Sequence, residues 1–291
     1  MARFTLFNYD KPGKGISKNA PKKVGVSLYF NIFIRRFWKL LTLNLLYIIS
    51  SLPAILIAWF ISFYYVTWTA SLASIDLDTN ATALLIYIIL MAVLLLLICG
   101  TGPATAAVTY VVRKYADDTH AWAAGEFYDH LKINFKQGLI AYFINILIAV
   151  CMLIAYNFYS YSFSGVASVF FRIVLIVAIL LFTFMQFYVY HLMAGYKIKL
   201  RHIYKSALLL SLAHFGWNIA VLCACGIFVI AGLYLLIGLS LAGYIYLGLL
   251  LFCTVIYTQV FMTNKIIKHA VGDPRYFSQN RTSYEKDDMF E

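Results

Sequence analysis

The chain has 291 residues, 63% of them hydrophobic and 12% charged, where a soluble domain carries about 25% charge. That shortfall excludes an ordinary soluble globule. The net charge of +11 flanks apolar runs and has no zinc-finger spacing or RNA-binding signature beside it, so it points to membrane orientation and anionic headgroups, not nucleic acid.

Residues 1–23 are polar and basic, with Pro12, Gly13, Gly15 and Pro21, and are expected to form a flexible cytoplasmic tail. Residues 24–39 mix Leu28, Phe30 and Ile34 with Arg35, Arg36 and Lys39, which suits a helix lying in the membrane interface. Six apolar runs follow, at about 40–66, 82–112, 139–163, 169–194, 216–237 and 244–263. Each meets the roughly 20 residues that a span requires. The first run is too long and too late for a secretory leader, whose apolar part is about 7–15 residues, so it is read as a retained helix.

Within the first run, Pro53 removes a backbone donor and predicts a kink. Tyr64, Tyr65 and Trp68 mark an outer aromatic belt, and the loop 69–81 carries Asp76 and Asp78 but no cation. The second run is interrupted by Gly100-Thr101-Gly102-Pro103-Ala104-Thr105-Ala106-Ala107. A kink is expected at 100–103, packed on the first span near Pro53, with Thr101 or Thr105 bonding freed carbonyls. Small residues there fit close helix packing, while a pocket lined by a broken helix is the functional alternative.

Residues 113–136 read as an inner helix on which Glu126 and His130 share a face, most simply as a solvated pair. Residues 196–214 alternate Lys197, Lys199, Arg201 and Lys205 with aliphatic positions, again an interfacial helix. Gly238 to Gly243 supplies the turn of the last hairpin. Asn44, Asn145 and Asn218 each fall early in an odd-numbered span. An unbonded amide in lipid is costly, so they are expected to face the bundle interior and bond another helix.

Placing the N-terminus inside puts 22 of the 23 Lys and Arg residues on the inner side, with Arg172 alone outside. Basic residues resist translocation. The expected fold is therefore all-α: a polytopic membrane protein with six transmembrane helices as three hairpins and cytoplasmic interfacial helices. It has one membrane domain over 24–264 and a cytoplasmic tail over 265–291. Its expected place is an inner or plasma membrane with both termini inside, in contact with anionic lipid.

No Walker A motif, Gly-x-Ser-x-Gly elbow or His-Glu-x-x-His motif is present, and no nucleophile–base pair is visible. The chain is expected to be no enzyme and to need no cofactor or metal. None of the twelve acids lies within an apolar run, which argues against proton-coupled transport. His191 and His214 sit near inner span ends. Cys99, Cys151, Cys223, Cys225 and Cys253 all fall in apolar runs and read as buried free thiols.

Asn44-Leu45-Leu46-Tyr47, Ser51-Leu52-Pro53, Gly102-Pro103-Ala104-Thr105-Ala106-Ala107, Val112-Arg113-Lys114 and Asn134-Phe135-Lys136-Gln137-Gly138 together resemble the YesL family of bacterial membrane proteins. The likeness spans about residues 25–215. In that family the Ser-Leu-Pro and Pro-Ala-Thr-Ala-Ala elements are close together, whereas here residues 54–101 separate them. The resemblance implies a protein encoded beside carbohydrate importers of the ABC type and implies no catalytic residues. The leading expectation is thus a non-enzymatic accessory protein touching importer permease subunits through its inner amphipathic segments. The alternative is a small-solute or lipid-handling protein with a pocket at Pro53 and Gly102-Pro103.

Overall fold

The computed structural model describes residues 25–72, 81–238 and 240–272. Both expected tails fall largely outside these residues, as do Asp76 and Asp78. Among the described residues there is no strand; helices run in the order α1 (Gly25–Ser50), α2 (Leu52–Leu72), α3 (Ala81–Cys99), α4 (Pro103–Ala116), α5 (Ala123–Ile133) and α6 (Phe135–Ser162). The chain continues through α7 (Gly165–Gly195), α8 (Leu200–Ala213), α9 (Phe215–Gly238), α10 (Ser240–Tyr246), a π-helical segment Leu247–Leu251, and α11 (Phe252–Val271).

Five described helices are long and apolar enough to cross a membrane: Leu52–Ser71, Phe135–Ser162, Gly165–Gly195, Phe215–Leu235 and Leu249–Val271. Tyr87–Cys99 and Pro103–Ala116 make a sixth crossing when taken as one span bent by 64°. The protein is therefore a multi-pass helical membrane protein. Consecutive elements pack in pairs, α2 on α3, α6 on α7, and α9 on α10 and α11.

The first crossing differs from the 40–66 expected. The chain breaks at Ser51, and Pro53 lies in the first turn of α2, where its missing N–H costs least. Its side chain faces outward. The membrane-length helix accordingly begins at Leu52, while α1 buries Leu40, Leu43, Asn44 and Tyr47 against α4 and α11. At the other end, helix continues past residue 264 to Val271, with Gly272 in the left-handed region (φ 72°) and Lys268 and His269 in the last turn, a favourable charge for a helix C-terminus.

α4 is the hub. It contacts α1, α5, α6, α7 and α11, and residues 103–109 are all buried. One core cluster forms where α1, α4 and α11 meet, around Tyr47, Val108, Val112 and Tyr257. A second lies between α7, α8, α9 and α11, around Phe184, Tyr188, Ile203 and Val221. Cys99, Cys225 and Cys253 are buried, but Cys151 and Cys223 are exposed on outward helix faces, correcting the expectation of five buried thiols. Cys223 and Cys225 are two apart, so one must point out when the other points in.

Candidate functional site

The break between α3 and α4 rests on two glycines in the left-handed region, Gly100 (φ 70°) and Gly102 (φ 72°). Gly102 is the N-cap of α4 and Pro103 the first helical residue, the position proline tolerates best. A Cβ on Gly102 would lie 2.7 Å from the Gly138 carbonyl oxygen of α6, and a Cβ on Gly138 would lie 2.7 Å from Pro103 N. Backbone thus rests on backbone at this point, which only paired small residues allow.

The break frees polar groups, and neighbouring helices recapture most of them. The Cys99 carbonyl accepts from the Tyr190 hydroxyl at 2.6 Å and from Asn145 Nδ2 at 3.1 Å. Thr105 Oγ1 accepts the Thr101 N–H at 2.7 Å. The expectation that Thr101 or Thr105 would bond freed carbonyls is corrected here. Thr105 sits in the first turn of α4, beside orphan donors rather than orphan acceptors. The break touches the start of the first span through Ser51, whose hydroxyl donates to Thr101 Oγ1 at 2.9 Å, and next to it Tyr142 of α6 donates to the Ala54 carbonyl of α2 at 3.2 Å. Pro53 takes no part.

Asn145 is the centre of the site. It exchanges hydrogen bonds with Gln186 of α7 in both directions at 3.0 Å, and its Oδ1 accepts from the Tyr204 hydroxyl of α8 at 2.7 Å. The amphipathic helix α8 is thereby tied to the break. Burial pushes the Tyr204 phenol above its usual pKa, so it donates throughout the physiological range. The other two asparagines are also fully buried. Asn44 Oδ1 accepts the Cys253 N–H at 2.9 Å, at the end of the π-helical segment. Asn218 accepts from Tyr188 at 2.6 Å and donates to the Ser211 carbonyl at 3.0 Å. The nine residues singled out in the sequence do not form one site: Gly100, Thr101, Gly102, Pro103, Thr105 and Asn145 converge, while Asn44, Asn218 and Pro53 lie apart.

Gln186, Tyr190, Tyr204 and Gly138 complete the junction and were missed. Gln186 was the most visible of them, a lone carboxamide in the fourth apolar run.

Beside the break, between α1, α3, α4, α7 and α11, is a cavity of about 30 Å³ whose polar lining includes Thr105, Thr109, Thr183, Gln186, Tyr190 and Gln259. That is room for one or two water-sized groups. The alternative reading puts a pocket at Pro53 and Gly102-Pro103; this cavity lies on the α11 side of the break, and its lining includes Gly100 and Thr105 but not Pro53, Gly102 or Pro103.

Toward the basic end, Arg113 bonds the Tyr196 hydroxyl at 2.9 Å and lies over that ring at 4.7 Å. Asp117 accepts from Asn264 at 2.6 Å and from Lys268 at 2.5 Å. His191 is fully buried, with Nδ1 3.3 Å from Thr263 Oγ1. Among the described residues no group of three or more His, Cys, Asp or Glu side chains could hold a metal.

Glu126 and His130 are not a bare solvated pair. Glu126 accepts from Lys114 at 2.9 Å, and His130 stacks on Tyr110 with ring centroids 3.3 Å apart. Burial holds the His130 pKa below its ordinary value against the opposing Glu126 charge, with the Lys114 charge lowering it further and Asp129 raising it, both by less. A lowered histidine pKa stabilises the folded state above pH 6.5 and loses that contribution as pH falls toward the folded value. The wild type should therefore melt lower at pH 5 than at pH 7.5, and His130→Phe, which keeps the stack, should narrow that difference. An unchanged difference would remove His130 as the cause.

Residues 81–158 match a family model described as Protein of unknown function, DUF624. The YesL proteins are members of that family, so the resemblance drawn from the sequence holds. The matched stretch runs from α3 to α6 and contains both sides of the Gly102–Gly138 contact. No curated protein and no solved structure matches the chain.

Proposed function

We propose that this is a six-span protein of a bacterial cell membrane, with both termini in the cytoplasm. It acts as a non-enzymatic accessory protein of a carbohydrate importer of the ABC type. The orientation is supported by the cation distribution, and the importer by the YesL resemblance. The observation that carries an accessory role is the outer face of α5. This helix lies outside the candidate spans, yet Trp122 at its N-cap is 73% and Ile133 69% exposed, with Tyr128 also exposed among Asp129 and Lys132. Exposed aromatic and aliphatic anchors rimmed by charge are how protein partners are commonly held.

Two measurements test this. Cysteines introduced beside Asp118 or Lys199 should resist an impermeant thiol reagent in intact cells, and one beside Trp68 should label; the reverse pattern overturns the orientation. Co-purification from the native membrane should recover importer subunits. The double variant Trp122→Ala, Ile133→Asp should keep its membrane yield and lose those subunits at least tenfold. Recovery of no importer subunit by the wild type overturns the proposal.

A further inference from the structure

The cavity beside the break is lined by the last turn of α3 and by polar side chains of α4, α7 and α11. Leu97 and Ile98 line it from the last turn of α3, where their carbonyls would ordinarily accept from the N–H groups of Thr101 and Gly102. The Thr101 N–H is taken by Thr105, and among the described residues no hydrogen bond reaches either carbonyl. A helix C-terminus carries roughly half a negative charge. Across the cavity Thr109 is only 3% exposed, and its hydroxyl has no partner among the described residues; the Gln259 carboxamide has none either. Thr183 gives its proton to the Ile179 carbonyl at 2.9 Å, which leaves the lone pairs of Oγ1 available.

The geometry points to a binding site for one monovalent alkali cation, Na⁺ or K⁺, in this cavity. Its oxygen ligands are the carbonyls of Leu97 and Ile98 and the side chains of Thr109, Thr183 and Gln259. The site suits a single charge. No carboxylate lies among the residues lining it, and divalent cations are usually held by carboxylates. About 30 Å³ admits a cation stripped of most of its water, with the lining oxygens replacing the shell. Unwound carbonyls at a broken membrane helix serve this purpose elsewhere, because the freed groups and the helix dipole act on the same ion. The nearest cation on α4, Arg113, is one turn beyond Thr109 and is engaged by Tyr196 at 2.9 Å. This site does not depend on the importer partner proposed above.

The test is melting of the purified full chain in detergent, in NaCl or KCl, with choline chloride holding the ionic strength constant. A saturable rise of about 3–8 °C in one alkali salt over choline is expected. Thr109→Val and Gln259→Leu should each raise the half-saturating salt concentration at least tenfold. Equal melting in all three salts overturns the site, as does an alkali response unchanged in both variants. Should a variant fail to fold, the wild-type comparison of the three salts still decides.

Discussion

Gly102→Leu should leave little or no folded protein in the membrane, and Gly138→Leu should do the same from the opposite side of one contact. Two costs meet at Gly102. Its φ of 72° is strained for any residue with a Cβ, by about 1–2 kcal/mol. The new side chain would also start 2.7 Å from a carbonyl oxygen that belongs to α6 backbone and cannot rotate away. Overpacking of this kind adds about 1–3 kcal/mol, so even Gly102→Ala should cost about 3 kcal/mol. Gly138 has only the second cost, since its Cβ would meet Pro103 N at 2.7 Å and Cα at 2.8 Å. Gly138→Ala should therefore lower the melting temperature less than Gly102→Ala. Gly226 is the internal control. Nothing lies within 4 Å of a Cβ built there, so Gly226→Ala should melt no lower than wild type. If Gly102→Ala melts like Gly226→Ala, the backbone contact is not what holds α4 to α6.

The membrane class and the break itself were legible, because each shows in composition over a single stretch. Gly100-Thr101-Gly102-Pro103 cannot continue a helix, and the bend of 64° lies where those residues stand. Pro53 misled for a related reason. Its missing N–H is harmful inside a helix and harmless in a first turn, and only the break at Ser51 decides which applies. The partners of the break were not legible. Tyr190 reaches the Cys99 carbonyl across 91 positions, and Tyr204 reaches Asn145 across 59. No local period encodes such pairings. The Gly102–Gly138 contact is intermediate. Both glycines stood in stretches that resemble the YesL family, yet nothing in either stretch said that they touch.

Asn145→Leu should produce the largest loss of stability among single polar substitutions in the bundle, because one carboxamide serves three helices. Without it the Gln186 amide loses the partner of both its ends, the Tyr204 hydroxyl loses its 2.7 Å acceptor, and the Cys99 carbonyl keeps only Tyr190. Interhelical hydrogen bonds in membranes contribute about 0.6 kcal/mol on average and up to about 1.7 kcal/mol. Leaving a buried partner unsatisfied raises the cost to about 1–3 kcal/mol. A loss of about 2–3 kcal/mol is therefore expected in detergent unfolding. Gln186→Leu should cost less, since Tyr204 and the Cys99 carbonyl keep their Asn145 bonds. The double variant separates a network from two independent contacts. Once Asn145 is gone, Gln186 is an orphan, and replacing it with leucine should restore part of the stability. The two single losses should then exceed the double loss by about 1 kcal/mol or more. Strict additivity would mean that Asn145 and Gln186 each find other partners when separated, and that α8 is not coupled to the helix break through them.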